Sequence, residues 1–185
     1  MTILSAGKNE IFDFAIPVGV GLIESSINLT KLLLSDKPKS LLFIGTAGSY
    51  GNLKLFDIFY SHSSTNIETG YFEGNCYTPI ANKIEAYNYN VSCETTNEKN
   101  ILVNSSNYIT TNKEISNKFL KNGIEAENME FYSILTVANK FNIPVLGIFI
   151  ITNFCNNIAH SDFLRNHNLA KNKLTQYIRK QVSKT

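Results

Sequence analysis

Three short polar segments carry side chains that suit the binding of a small ligand. Gly45-Thr46-Ala47-Gly48 follows an apolar run, Glu127-Asn128-Met129-Glu130 leads into a helix-like segment, and Thr152-Asn153 ends the most apolar run of the chain. Glycine amides and a Thr hydroxyl can surround an anion. A Glu can accept two hydroxyl hydrogen bonds, as a ribose diol offers, and an Asn presents a donor and an acceptor to a heterocycle. The residues alone also allow structural roles: a β–α turn, an acidic helix start and a loop cap.

The elements that must position these segments follow from the apolar pattern. It predicts strands at 41–44, 58–60, 101–103 and 145–151, and helices at 22–34, 114–121, 129–141 and 161–185. Residues 61–98 are polar and poorly periodic, and we expect a long loop there with one or two strands. Strands that alternate with helices predict an α/β fold, a three-layer α/β/α sandwich around a mixed, largely parallel central sheet.

This topology also predicts where a ligand binds. Open α/β sheets bind ligands beyond the carboxyl ends of their strands. Three polar clusters follow predicted strands, at 45–48, 104–108 and 152–153. We therefore expect these clusters to meet at one edge of the sheet.

Length and composition limit the class of protein. The chain has 185 residues, of which 43% are hydrophobic and 17% charged, so we expect one domain over 1–185 with a sizeable core. A net charge of +2 with only two Arg argues against a nucleic-acid partner. No apolar run reaches the roughly 20 residues of a spanning helix, and no signal-peptide pattern opens the chain. We expect a cytoplasmic protein without a membrane partner.

Cysteine and histidine give no sign of a metal site. The three Cys show neither CxxC pairing nor zinc spacing, which predicts a reduced compartment. His62, His160 and His167 show no ligand spacing, and we expect them on the surface or in loops.

The polar segments and their elements, taken in order, resemble one family. Residues 18–49 are similar to the glycine turn, helix, strand and Gly-rich loop of the nucleoside phosphorylases and methylthioadenosine/S-adenosylhomocysteine nucleosidases, and residues 53–61 to their next strand. Residues 101–109 are similar to the strand that supplies a base-stacking aromatic residue. Residues 127–153 resemble the ribose-binding Met-Glu helix and the strand that ends in a base-binding Asp or Asn. The resemblance implies the nucleoside phosphorylase fold.

On the sugar side, the resemblance implies roles for five residues. Thr46, Ala47 and Gly48 would face the base and the phosphate or water that attacks the sugar. Met129 would pack against the sugar, and Glu130 would bind its hydroxyl groups.

On the base side, the resemblance implies that Tyr108 stacks on the purine and that Ile109 contacts it through the backbone. Asn153 would hydrogen-bond the purine at N7. The nucleosidases and hexameric phosphorylases have a general-acid Asp where this chain has Asn153, whereas the trimeric phosphorylases have Asn.

Three departures from the family pattern shape our expectations. Ile44 stands where hexameric phosphorylases have an Arg before the Gly-rich loop, and Asn128 replaces another acidic residue. The first family strand and its loop, which in nucleosidases carries the Glu that activates water, are expected to be missing, which would make the chain an amino-terminally shortened member.

The resemblance implies cleavage of the N-glycosidic bond of a purine nucleoside, most simply a 6-oxopurine nucleoside. We expect phosphate as co-substrate, no other cofactor, and a homo-oligomer, with a dimer favoured. Two alternatives stay open: a nucleosidase that hydrolyses the same bond, and a nucleoside-binding paralogue without turnover. An unrelated α/β nucleotide-binding protein is a third.

Overall fold

The computed structural model describes residues 1–88 and 100–182. Its strands are β1 (Thr2–Ser5), β2 (Ile16–Pro17), β3 (Leu41–Ser49), β4 (Ile58–Ser61), β5 (Ser63–Thr65), β6 (Lys83–Glu85), β7 (Val103–Ser105), β8 (Ala126–Asn128) and β9 (Val145–Phe154). Its α-helices are α1 (Gly21–Ser35), α2 (Lys113–Lys121), α3 (Phe131–Lys140) and α4 (Ala159–Val182). Short 3-10 helices cover Lys8–Glu10 and Thr69–Glu73.

The strands form one mixed sheet with β3 near its centre. One edge of β3 pairs in parallel with β1 and then, near its end, antiparallel with β8, while the other edge pairs in parallel with β9. The sheet continues from β8 through β7 and β5 to β6, and β4 pairs antiparallel with β9. β1, β3 and β9 therefore run side by side in the same direction, with β1 ending opposite Ile44 and β3 and β9 ending together at Ser49 and Phe154.

Helices cover both faces of this sheet. Phe43 on β3 and Phe149 on β9 pack with α1 and α3 in one hydrophobic cluster. Leu42 and Ile44, which alternate with these residues, pack against Leu174 of α4 on the other face. Because both faces are covered, β3 and β9 are almost continuously apolar. The predicted three-layer α/β/α sandwich with a mixed, largely parallel sheet is confirmed.

The Gly-rich segment differs from the prediction, because residues 45–48 are part of β3 and not a turn after it. They pair with β9 through Gly48 opposite Asn153, with a register shift between Ala47 and Gly48. The backbone of this segment is therefore engaged in the sheet, and it is not a free anion-binding loop.

The segment before α3 also differs. Glu127 and Asn128 were expected to open a helix, but they form β8, between β3 and β7, and α3 begins at Phe131. A three-residue strand is too short for periodicity to reveal. β7 lies two residues later than predicted, and β9 extends through Asn153 to Phe154.

The other elements agree closely with the prediction. α1, α2 and α4 lie within a few residues of the expected bounds. Within residues 61–88 the structure contains β5 and β6, and the remaining part of that predicted loop, 89–98, lies outside the described residues. No helix in the described part of the chain is long and apolar enough to cross a membrane.

Candidate active site

A cavity of about 260 Å³ opens at the carboxyl ends of β1, β3 and β9. All eight site residues predicted from the sequence line it: Thr46, Ala47, Gly48, Tyr108, Ile109, Met129, Glu130 and Asn153. Glu10 and His160 also line the cavity, although neither was predicted there from the sequence, and so does Glu127 of the predicted acidic segment. The structure thus brings the predicted residues together, while their individual roles stay predictions.

Glu130 is buried where α3 begins. Its side chain is 3% exposed, and one carboxyl oxygen accepts the Gly21 N–H at 2.9 Å. Gly21 has φ 81°, a left-handed conformation that favours glycine, and this conformation presents its N–H to the carboxyl. Asn128 holds the backbone of Glu130 in place, because its Oδ1 accepts hydrogen bonds from the N–H groups of Glu130 at 2.8 Å and Phe131 at 3.0 Å.

Burial and, to a smaller extent, the charge of Glu10 raise the pKa of Glu130 from 4.5 to about 8, against the lowering effect of the Gly21 hydrogen bond. At neutral pH Glu130 is therefore largely protonated.

Glu10 supplies a second carboxyl group, from the loop after β1. Thr46 holds it twice: its N–H donates to Oε2 at 3.1 Å, and its hydroxyl donates to Oε1. Burial raises the pKa of Glu10 from 4.5 to about 7, while the Thr46 hydrogen bonds and the charge of Lys171 lower it. A carboxyl group with this pKa can act as a base at neutral pH.

Glu10 reaches the cavity from the amino-terminal region, although the first family strand and the loop that carries the nucleosidase Glu were expected to be missing. β1 lies in the sheet beside β3, and Glu10 follows it on the cavity wall. One isolated Glu in a short segment between two extended stretches gives no sequence pattern to recognise.

Gly48 separates two polar side chains at the deeper wall of the cavity. In the sheet it lies opposite Glu127 of β8 on one side and Asn153 of β9 on the other. A Cβ atom at position 48 would lie 2.8 Å from the Cys155 Sγ and 3.1 Å from the Asn153 Nδ2. Only glycine fits this close approach.

Asn153 is buried, and its Oδ1 accepts the Thr152 hydroxyl at 2.9 Å. Its Nδ2 donates to the Phe154 carbonyl at 3.3 Å, a long and weak bond. The amide therefore has donor capacity that a ligand can use.

The loop with Tyr108 and Ile109 forms the outer rim. Tyr108 is 79% exposed, while its neighbour Thr110 donates its N–H to Glu127 at 3.0 Å. Asn107 accepts the Leu22 N–H at 2.9 Å, which ties the loop to the start of α1. The rim thus presents an aromatic ring to solvent on a backbone that is anchored at two points.

The histidines lie only partly where expected. His160 is exposed, as predicted, but it stands at the cavity. His167 was expected on the surface and is instead buried, with its Nε2 2.9 Å from the Asn9 carbonyl oxygen. Because α4 packs on the loop that carries Glu10, this ring is part of that contact.

The cavity wall is poor in cations. Ile44 is fully buried in the core against α4 and does not line the cavity. Arg165 and Arg179 lie on α4, where they pair with Asp162 and Asp13. Among the described residues that line the cavity, Lys8 is the one Lys or Arg, whereas Glu10, Glu127 and Glu130 supply three carboxyl groups. In residues 1–88 and 100–182, no cluster of three or more His, Cys, Asp or Glu could hold a metal ion.

The family model of the phosphorylase superfamily matches residues 2–183, nearly the whole chain. The chain belongs to the phosphorylase superfamily. No curated protein matches it.

Solved structures of this superfamily share the fold at low sequence identity. One is an Asp-to-Asn mutant of the Helicobacter pylori 5′-methylthioadenosine/S-adenosylhomocysteine nucleosidase with 5′-methylthioadenosine in its active site, with TM-score 0.80, 17% identity, and coverage of 100% of this chain and 98% of that one. A futalosine hydrolase mutant of Helicobacter pylori has TM-score 0.78 at 18% identity, with coverage of 100% and 98%. The S-adenosylhomocysteine nucleosidase of Streptococcus pyogenes has TM-score 0.74 at 14% identity, with coverage of 96% and 93%.

Proposed function

We propose that this superfamily member is a nucleosidase, which hydrolyses the N-glycosidic bond of a purine nucleoside with water as the nucleophile. The observation that carries the proposal is Glu10, a carboxyl group with a pKa of about 7 that Thr46 holds on the cavity wall. Near neutral pH, about half of such a group is deprotonated and ready to take a proton from water.

Water suits this site better than phosphate does. Phosphate is a multiply charged anion, and the wall that it would face contains the carboxyl groups of Glu10 and Glu130. The position where the resemblance placed an Arg is Ile44, buried in the core. At neutral pH the ionised fraction of Glu10 repels an anion, so the phosphorolysis expected from the sequence is the less favoured reaction.

Glu130 holds the sugar in this proposal. Its carboxylate accepts hydrogen bonds from two ribose hydroxyl groups, while Gly21 and Asn128 keep the side chain in place. The ribose is then held between Glu130 and the water on Glu10, which brings the attacking oxygen close to the anomeric carbon. Such positioning supplies a large part of the rate enhancement of an enzyme.

Asn153 and Tyr108 bind the purine. The free donor capacity of the Asn153 amide suits N7, and Tyr108 on the rim can close over the ring. The purine specificity draws support from the named relatives, which include nucleosidases for 5′-methylthioadenosine and S-adenosylhomocysteine. The bonds from Asn153 strengthen as negative charge grows on the leaving base.

A panel of purine nucleosides, assayed for free base with and without phosphate, tests the proposal. We expect release without phosphate from the wild type, and a loss of about 100-fold or more in Glu10→Gln, which removes the base. Glu130→Gln should lose at least about tenfold in kcat/KM, because it removes a charged acceptor of ribose hydrogen bonds.

Glu114→Gln is the matched control, since it removes an exposed carboxylate on α2 outside the cavity. It should leave the rate unchanged. Release that depends on phosphate, or full activity in Glu10→Gln, would contradict the proposal.

A nucleoside-binding protein without turnover is the second candidate, and Asn153 is the observation that favours it. An amide cannot give a proton to the leaving base, and an Asp-to-Asn mutant of a nucleosidase has been captured with 5′-methylthioadenosine in its active site. Calorimetry that detects nucleoside binding by a protein that releases no base would establish this alternative.

A further inference from the structure

Glu127 is a buried carboxyl group at the cavity that has no part in the hydrolysis proposed above. Glu127 lies on β8 and lines the cavity, yet sugar binding uses Glu130 and water activation uses Glu10. The reaction meanwhile lacks a proton donor for the leaving purine, because Asn153 is an amide.

The sheet places Glu127 and Asn153 on the same face, with Gly48 between them. Gly48 pairs directly with both residues, and directly paired residues project their side chains to the same side of a sheet. The Glu127 Cγ lies 3.4 Å, and the Asn153 Nδ2 3.1 Å, from the point where a Cβ at position 48 would stand. Together with the Cys155 Sγ, which lies 2.8 Å from the same point, both side chains therefore approach one position above Gly48, so a base edge that meets Asn153 also comes close to Glu127.

The neighbours of Glu127 hold its carboxyl group without taking its proton. Thr110 donates its N–H to both oxygens, at 3.0 and 3.3 Å, and the Tyr50 hydroxyl donates to Oε2 at 3.0 Å. Tyr50 is itself fixed by stacking on Phe119 with ring centroids 4.3 Å apart. Because the Thr110 N–H can only donate, a protonated Glu127 has an O–H hydrogen that this contact does not take up. Burial raises the pKa of Glu127, against these hydrogen bonds, and so favours the protonated form.

We infer that Glu127 is the general acid that protonates the leaving purine. This role rests on the nucleosidase function proposed above. The C1′–N bond breaks and its electron pair stays on the base, while the Glu127 proton moves to a purine ring nitrogen. The water oxygen forms the new bond to C1′ and its proton moves to Glu10. The products are free base and free sugar, and both carboxyl groups return to their starting states by exchange with solvent.

Glu127→Gln with two substrates is the test. The Gln carbonyl can still accept from Thr110 and Tyr50, but it supplies no acidic proton. We expect kcat for a purine nucleoside to fall about 100-fold or more. For p-nitrophenyl β-D-riboside, whose leaving group departs as a stable anion, the loss should stay within about threefold, because that reaction needs no acid. Equal losses on both substrates, or none, would overturn the inference.

A second variant and the wild type keep the test decisive. Adding Asn153→Asp to Glu127→Gln supplies an acid on the other side of Gly48 and should restore purine hydrolysis at least about tenfold.

If Glu127→Gln does not fold, the pH dependence of the wild type tests the role of Glu127. At high pH its rate on the purine nucleoside should fall while its rate on the p-nitrophenyl riboside is kept, and parallel pH profiles would overturn the inference. A wild type without any base release would overturn the proposed function itself, whereas an active wild type with an equally active Glu127→Gln would overturn this role alone.

Discussion

The three carboxyl groups on the cavity wall differ in what surrounds them. Glu10 is held by Thr46, Glu130 by the Gly21 amide, and Glu127 by Thr110 and Tyr50. Burial raises the pKa of all three, although to different extents. One residue type can therefore serve as base, sugar ligand and acid, because the environment sets the protonation state of each group.

Catalysis should depend on pH through the protonation of Glu10. Because Glu10 must be deprotonated to accept a proton from water and its pKa is about 7, kcat/KM should rise with pH up to about 7. A pH–rate profile of the wild type measures this limb, which reports a group in the free enzyme. Glu10→Gln should lose the limb together with most of the activity, and a wild-type profile that is flat from pH 5 to about 8 would speak against the role of Glu10.

The same carboxyl groups make stability depend on pH. The pKa of Glu130 in the folded chain is about 8, above its ordinary 4.5, so between these values the folded state binds more protons than the unfolded state. The stabilisation is complete below about pH 4.5 and is lost as pH rises through about 8. We therefore expect the Tm of the ligand-free protein to fall over this window. Glu130→Gln should flatten that fall, and an unchanged slope in this variant would contradict the assignment.

At the scale of elements, hydrogen bonds of Asn128 on β8 join the start of α3 to β3 beside the cavity. Asn128 accepts two N–H groups at the start of α3 and donates its own amide to the Thr46 carbonyl at 3.1 Å. It thereby fixes Glu130 relative to β3. The family position that the sequence analysis read as a lost acidic residue is thus occupied by an amide that joins helix to sheet.

Asn128→Ala should therefore affect both stability and binding. Loss of these hydrogen bonds should cost about 1–3 kcal/mol of unfolding free energy, and displacement of Glu130 should raise KM for the nucleoside. Asn112→Ala is the matched control, because Asn112 caps α2 through the N–H groups of Glu114 and Ile115 outside the cavity. Urea denaturation with steady-state kinetics should show lower stability in both variants but a raised KM only in Asn128→Ala. A raised KM in both would contradict the specific role.

How far the sequence predicts this molecule depends on the length of each element. The apolar runs of β3 and β9 and the periodic helices are long enough to read, and the resemblance ordered the pieces around them. β8 has three residues and no period, so Glu127 was read as part of a helix. Glu10 was missed for another reason: only the tertiary contact with Thr46 brings it to the cavity, and nothing local in the sequence marks that contact.

At the scale of the whole molecule, α1 carries an apolar stripe that faces solvent. Ile23, Ile27 and Leu34 are 70%, 50% and 71% exposed, and their spacing places them on one side of the helix. We expect this surface to be covered by a second copy of the chain, in keeping with the homodimer expected from the sequence. Sedimentation at tens of micromolar, about the range where a stable dimer persists, should give twice the mass of 20.7 kDa.

Ile27→Lys places a charge in the centre of that stripe and should shift the protein toward the monomer. Lys113→Glu at the exposed start of α2 is a control for a change of surface charge. A wild type that sediments as a monomer would contradict the expectation.

The identity of the nucleophile tests the central claim most directly. The wild type is incubated with a purine nucleoside and inorganic phosphate in water labelled with heavy oxygen, and the sugar product is analysed by mass spectrometry. If water on Glu10 attacks the anomeric carbon, the product is free sugar that carries the heavy oxygen at that carbon. Sugar 1-phosphate as the product would show that phosphate is the nucleophile and would contradict the account.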